Sequence, residues 1–134
     1  MRMTKSKVCF PLLALLVAGL LCACGNSDSS DLASFPLEKA LSNGKPTLAE
    51  FGWRECIPCK QMKPVLEELA VEYEGKVNVL IVEIPFHEDL AEKYGIMVMP
   101  VQIFFDSTGR EVARHAGFLP KAQIIAQLQI MGVQ

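Results

Sequence analysis

Apolar positions along the chain form one long block and then a series of short periodic patterns. Val8 to Leu21 is apolar apart from Pro11 and Gly19. The stretch Gly25 to Ser34 is polar, rich in Ser and Asp and without periodicity, which is the composition of a flexible tether. From Phe35 onward the periods of helix and strand alternate. Phe35, Leu37, Ala40 and Leu41 predict a helix over Phe35 to Ser42, stopped by Asn43-Gly44. Pro46 to Trp53 reads as a short extended run with Leu48 and Phe51 apolar. Met62, Leu66, Leu69 and Tyr73 recur at helical spacing and predict a helix over Ile57 to Glu74, kinked at Pro64 and ended by Gly75. Val77 to Ile84 is a nearly continuous β-branched run, expected to be a strand buried on both faces.

The second half continues the alternation. His87 to Tyr94 predicts a short helix, Val101 to Phe105 a strand, and Glu111 to His115 the returning strand of a hairpin turned at Asp106 to Gly109. Pro120 to Met131 closes the chain as a helix with Ile124, Ile125 and Leu128 on its apolar face. Strands separated by helices are expected to pair in parallel and the hairpin antiparallel. The fold class is therefore α/β, with a mixed central sheet of about four strands flanked by helices.

Composition narrows the picture. A chain of 134 residues holds one compact domain, and 51% hydrophobic residues exclude a disordered one. No internal repeat is visible. A net charge of −2 without a basic stripe argues against a nucleic-acid partner. The positive mean hydropathy of +0.28 comes largely from the first 24 residues. There Arg2, Lys5 and Lys7 precede the apolar block, the form of a secretory signal, and the block is short for a membrane span.

Leu21-Cys22-Ala23-Cys24 resembles the lipobox of bacterial lipoproteins, although Cys22 stands where a small non-thiol residue is usual. The resemblance implies a lipoprotein-type signal peptide over 1–23, lipidation of Cys24, a tether over 24–34 and a folded domain over 35–134. The product would sit on the periplasmic side of a bacterial membrane, held by its lipid anchor. A plain signal peptide or an uncleaved anchor are the competing readings. Of the five cysteines, Cys9 and Cys22 would leave with the leader and Cys24 would carry the acyl chains. Cys56 and Cys59 remain as thiols in an oxidising compartment.

Glu50-Phe51-Gly52-Trp53-Arg54-Glu55-Cys56-Ile57-Pro58-Cys59-Lys60 carries the strongest chemical signal. Placed between a strand and a helix, the Cys-x-x-Cys puts Cys56 at a helix N-terminus, where free N–H groups and the macrodipole favour a thiolate. Cys59, one turn on, can resolve a mixed disulfide formed by Cys56. Pro58 stiffens the first turn without losing a hydrogen bond. The alternative is a metal site, for which only His87 and His115 could complete the ligands, or a copper-handling module using a histidine or Met97 and Met99. The two histidines read more simply as a helix cap and an outward strand position, and the two methionines as groove packing. Glu67, Glu68, Glu72 and Glu74 read as a solvated helix face.

With these residues in place, the chain resembles the thioredoxin family over roughly Leu37 to Met131. Cys-x-Pro-Cys-Lys stands at Cys56 to Lys60, and Pro64 follows the second cysteine by five residues. Tyr94-Gly95-Ile96 and Met97 to Pro100 are similar to the run into that family's cis-proline. The resemblance implies a thioredoxin fold, a redox-active Cys56–Cys59 disulfide and a cis Met99–Pro100 bond facing Cys56. It also implies a glycine at Gly117 where a side chain would crowd the site, and a buried acid at Glu50 that takes the proton of Cys59. Trp53, Met99, Pro100 and Gly117 are the substrate-contacting residues it implies.

Three departures stand out. Glu55 replaces the tryptophan usual before the first cysteine, Trp53 is displaced by two positions, and no lysine accompanies the acid in Val77 to Ile84. The glutamate opposes the helix dipole at Cys56, while Arg54 and Lys60 offset it. The expected activity is that of a protein-disulfide reductase, because Pro58 is similar to the reducing members; a dithiol oxidase or isomerase is the alternative. Partners would be protein disulfides and a membrane thiol electron donor, with no cofactor, no metal and a monomeric state.

Overall fold

The computed structural model describes residues 31–134. The expected signal peptide, the lipidation site Cys24 and residues 25–30 of the expected tether lie outside the described residues. Helix α1 runs from Asp31 to Leu41, so it overlaps the last four residues of that tether. It is followed by β1 (Thr47–Gly52), α2 (Ile57–Glu72), β2 (Asn78–Glu83), a single 3-10 turn at Ile84–Phe86 and α3 (Glu88–Lys93). The hairpin β3 (Val101–Phe105) and β4 (Glu111–Ala116) and the helix α4 (Lys121–Ile130) complete the chain. Among the described residues no helix is long and apolar enough to cross a membrane.

The strands form one mixed sheet in the order β2-β1-β3-β4. β1 pairs with β2 in parallel and with β3 antiparallel, and β3 pairs antiparallel with β4. The expectation that helix-separated strands pair in parallel fails at β3. A parallel return needs a helix that travels back along the sheet for about the length of a strand, roughly 17–20 Å, and the connection from Ile84 to Pro100, long enough in residues, does not form one. Helix α3 has only 6 residues. The chain therefore leaves β2 and enters β3 at the same end of the sheet. As a result the C-terminal ends of β1, β2 and β4 and the start of β3 share one edge.

The second correction concerns which strand is central. The β-branched run of β2 was expected to be buried on both faces, yet β2 is an edge strand with Ile81 43% exposed. The buried centre is β1, all six of whose residues are buried although two are polar, Thr47 and Glu50. Thr47 is accommodated by Asn78, its register partner, whose Nδ2 donates to Thr47 Oγ1 at 2.9 Å and also lies within bonding distance of the Ala40 carbonyl.

Side chains alternate along β1 into two cores. Leu48 and Phe104 meet Met62, Leu66, Leu69, Ile124 and Leu128 under α2 and α4. Ala49, Phe51, Ile103 and Phe105 face Leu37 and Leu90 of α1 and α3 on the other side. Glu50 and Gln102 share the parity of Leu48 and Phe104, so both point to the α2 side, among apolar side chains.

Candidate active site

The loop from β1 delivers Cys56 to the start of α2 as its N-cap, in an extended backbone conformation. Its N–H donates to the Trp53 carbonyl at 2.9 Å and its carbonyl accepts from Lys60 N–H at 3.0 Å, so the turn is tied at both ends. Pro58 stands in the first turn, where a missing N–H costs nothing because those donors have no intrahelical acceptor. Cys56 and Cys59 are joined as a disulfide, with Cα atoms 5.2 Å apart. Cys59 is buried, whereas Cys56 is partly open to solvent. The outer sulfur can therefore meet a macromolecule and the inner one cannot.

Glu50 lies beneath the disulfide on the central strand and is only 2% exposed. Its Oε1 has no hydrogen-bond partner, and burial pushes its carboxyl up to about 7. Gly52 makes this closeness possible. A Cβ there would stand 2.8 Å from Glu50 Oε1 and 3.1 Å from Cys59 Sγ, so both atoms crowd the space that a side chain would need. A cleft of about 220 Å³ opens beside them, lined by Glu50, Cys59, Trp53, Ile81, Glu83 and the cations Arg54, Lys60 and Lys63. The arrangement can pass a proton between the inner thiol, the carboxyl and solvent.

The loop before β3 lies at the same end of the sheet as Cys56. The Met99–Pro100 peptide bond is cis, as the resemblance implies. The Pro100 carbonyl accepts from Gly117 N–H at 2.7 Å, which ties the end of β4 to the start of β3. At Gly117 a Cβ would meet nothing within 4 Å, so no neighbour within the protein excludes a side chain there. The residue is required by its φ of 94°, a left-handed conformation open to glycine.

Trp53 is 37% and Met99 39% exposed, and they join Ile57, Phe86, Met97 and Phe118 as solvent-facing apolar side chains near this end of the sheet. The Arg54 guanidinium lies over the Phe86 ring, 5.6 Å from its centroid. Glu55 and Lys60 form an exposed ion pair at 3.7 Å, so the carboxylate beside Cys56 has a cationic neighbour, as the sequence suggested. His87 is the N-cap residue of α3 without a side-chain capping bond, and His115 is on β4. Among the described residues no three His, Cys, Asp or Glu side chains come together as a metal site.

A cysteine pair at a helix start, a buried acid and a cis-proline at the same end of the sheet are the arrangement expected of the family. Residues 36–132 match the thioredoxin-like domain family. The chain belongs to the thioredoxin-like family. It is similar to thioredoxin C-2 of Corynebacterium nephridii, with 42% identity over 83 residues, 60% of this chain and 74% of that protein. It is 37% identical over 91 residues to the thioredoxin of Alicyclobacillus acidocaldarius subsp. acidocaldarius, covering 68% of this chain and 86% of the relative. A thioredoxin of Staphylococcus aureus is 40% identical over 77 residues, 58% and 73% of the two chains. The protein is a thioredoxin-like thiol-disulfide oxidoreductase whose Cys-x-x-Cys pair is Cys56–Cys59.

Three residues at or beside the site escaped the sequence reading. Glu83 ends the β-branched run and opens onto the cleft, and Lys63 lines the same cleft one turn beyond Cys59. Gln102 is fully buried directly opposite Glu50. Its signal was available, since a lone amide inside Val101-Gln102-Ile103-Phe104-Phe105 is out of place in a buried strand.

Proposed function

We propose that this protein is a lipid-tethered, extracytoplasmic reductase of protein disulfides. The carrying observation is the pairing of a half-open Cys56 with a buried Cys59 whose sulfur lies close to the buried Glu50 carboxyl. Cys56 thiolate attacks a substrate disulfide, forming a mixed disulfide and releasing one substrate thiolate. Cys59 gives its proton to the Glu50 carboxylate and attacks Cys56 Sγ. The second substrate thiolate leaves, the Cys56–Cys59 disulfide forms, and two electrons have passed to the substrate. Trp53, Met99, Pro100 and Gly117 line the approach, and the exposed apolar side chains near them suit an extended stretch of unfolded or loosely folded protein. A membrane thiol carrier would return the electrons.

The tether rests on the sequence before the domain: the basic start, the apolar block and Leu21-Cys22-Ala23-Cys24. Poising the protein against glutathione or dithiothreitol tests the direction. A potential of about −270 mV is expected, and one of about −120 mV would sink the reductase in favour of an oxidase. Cys59→Ser should trap substrates as mixed disulfides on Cys56. Cys24→Ser should release the protein from membranes, and continued membrane association would make the apolar block itself the anchor.

A further inference from the structure

We propose that Gln102 is a positioning residue for Glu50, its carboxamide donating a hydrogen bond to the Glu50 carboxylate when that group is ionised. The proposal rests on the proton-acceptor role given to Glu50 above. Gln102 is 0% exposed, and both its Nε2 and its Oε1 lack hydrogen-bond partners. Buried amides are almost always paired, so an amide orphaned at both ends calls for an explanation. Glu50, directly opposite it in the β1–β3 ladder, has an orphaned Oε1 as well. Residues opposite each other on antiparallel strands point to the same face with Cβ atoms about 4.5–5.5 Å apart, within reach of two long side chains. Three unpartnered polar atoms on two facing residues therefore lie under α2, in the disulfide form of the protein.

A carboxamide is suited to this neighbour because it can serve either protonation state. Rotated one way, Nε2 donates to a carboxylate; rotated the other, Oε1 accepts from the protonated acid. The bond to the charged form is the stronger, so the net effect favours ionised Glu50. Gln102 is the only donor-bearing side chain directly next to Glu50 in this row. Ile81 on β2 flanks Glu50 from the other side, and His115 on β4 lies beyond Gln102. The titratable groups around the carboxyl are Cys59, Lys60 and Lys63 of α2, Glu83 of β2, Arg54 of the loop and, on the far side of Gln102, His115 of β4. All are unchanged by a substitution at Gln102.

The test is the titration of the Glu50 carboxyl by carbon NMR in the full chain, together with the pH dependence of disulfide-peptide reduction. Gln102→Leu and Gln102→Met should each move the Glu50 midpoint and the associated limb of the rate profile upward by about one pH unit. In a Glu50→Gln background that limb should be absent, and Gln102→Leu should add no shift. A packing role alone would change stability and leave both midpoints where they are, which overturns the inference. If Glu50→Gln keeps the limb, the acid is not the proton acceptor and the inference falls with it. If Glu50→Gln removes the limb but neither Gln102 variant shifts it, Glu50 keeps its role and Gln102 has none. Methionine matches the length of glutamine without its hydrogen bonds, so it decides the matter should the leucine variant fail to fold.

Discussion

Replacing Glu50 by glutamine should remove a pH-dependent penalty on the stability of the oxidised protein. Burial moves this carboxyl from an ordinary 4.5 to about 7 in the folded state. The folded protein therefore holds a proton over a range in which the unfolded chain has released it. Below the unfolded value both states are protonated and no penalty exists. Between the two values stability falls as pH rises, and above the folded value the penalty is complete. A difference of this size corresponds to about 3 kcal/mol. That is a large share of the roughly 5–15 kcal/mol of a typical domain. The measurement is urea denaturation at pH 4, 6 and 8, followed by the fluorescence of Trp53, on the oxidised wild type and Glu50→Gln. Every other titrating group is common to the two proteins and cancels in the difference. The variant should gain about 3 kcal/mol on the wild type between pH 4 and pH 8. A difference that stays constant with pH would refute the argument that the carboxyl is desolvated.

Two further outcomes follow from close contacts. Gly52→Ala would force a methyl between Glu50 Oε1 and Cys59 Sγ, at 2.8 and 3.1 Å, and should lower stability by about 1–3 kcal/mol while slowing disulfide reduction. An unchanged denaturation midpoint would show that the β1 backbone yields. Asp106 in the β3–β4 turn accepts from Thr108 N–H at 2.9 Å, Thr108 Oγ1 at 2.6 Å and Arg110 N–H at 3.1 Å, and these bonds, led by the Thr108 hydroxyl, hold its carboxyl down to about 2. Its contribution is present above 3.8 and lost as pH falls through about 2, so Asp106→Ala should flatten the acid limb of the stability curve below pH 4. A wild-type acid limb that the variant reproduces would show that the turn contributes nothing there.

Local signals made most of this architecture legible. The helical spacing of Met62, Leu66 and Leu69 placed α2, and the Asp106–Gly109 turn placed the hairpin. The Cys-x-Pro-Cys-Lys pattern located the dithiol. The position of Glu50 in the motif pointed to a buried acid, and the structure buries it. What could not be read was set by strand order. An apolar run such as β2 looks central by composition, but its neighbours are decided by crossovers elsewhere in the chain, and it lies at the edge. The burial of Thr47 could not be read for the same reason, because it depends on Asn78, its partner on the neighbouring strand. Gln102 acquires meaning only from the antiparallel register of β1 and β3, which places it against Glu50. That register depends on α3 being too short to carry the chain back.

The two thiols lie in different electrostatic regimes, and salt should separate them. The charges next to Cys56 are exposed: Glu55 and Lys60 have side chains 58% and 57% open to solvent and meet at 3.7 Å. Exposed pairs of this kind interact weakly, and at 1 M salt the screening length falls to about 3 Å. Glu55→Gln should therefore speed alkylation of Cys56 in the reduced protein by about two- to threefold at low salt, with the gain vanishing near 1 M. Glu50 is buried beneath the inner sulfur, where counterions do not reach, so the effect of Glu50→Gln on the resolving step should be the same at both salt concentrations. A Glu55 effect that survives 1 M salt would mean that this carboxylate acts on Cys56 through a direct contact. Glu55 would then belong to the reactive centre, despite its exposure.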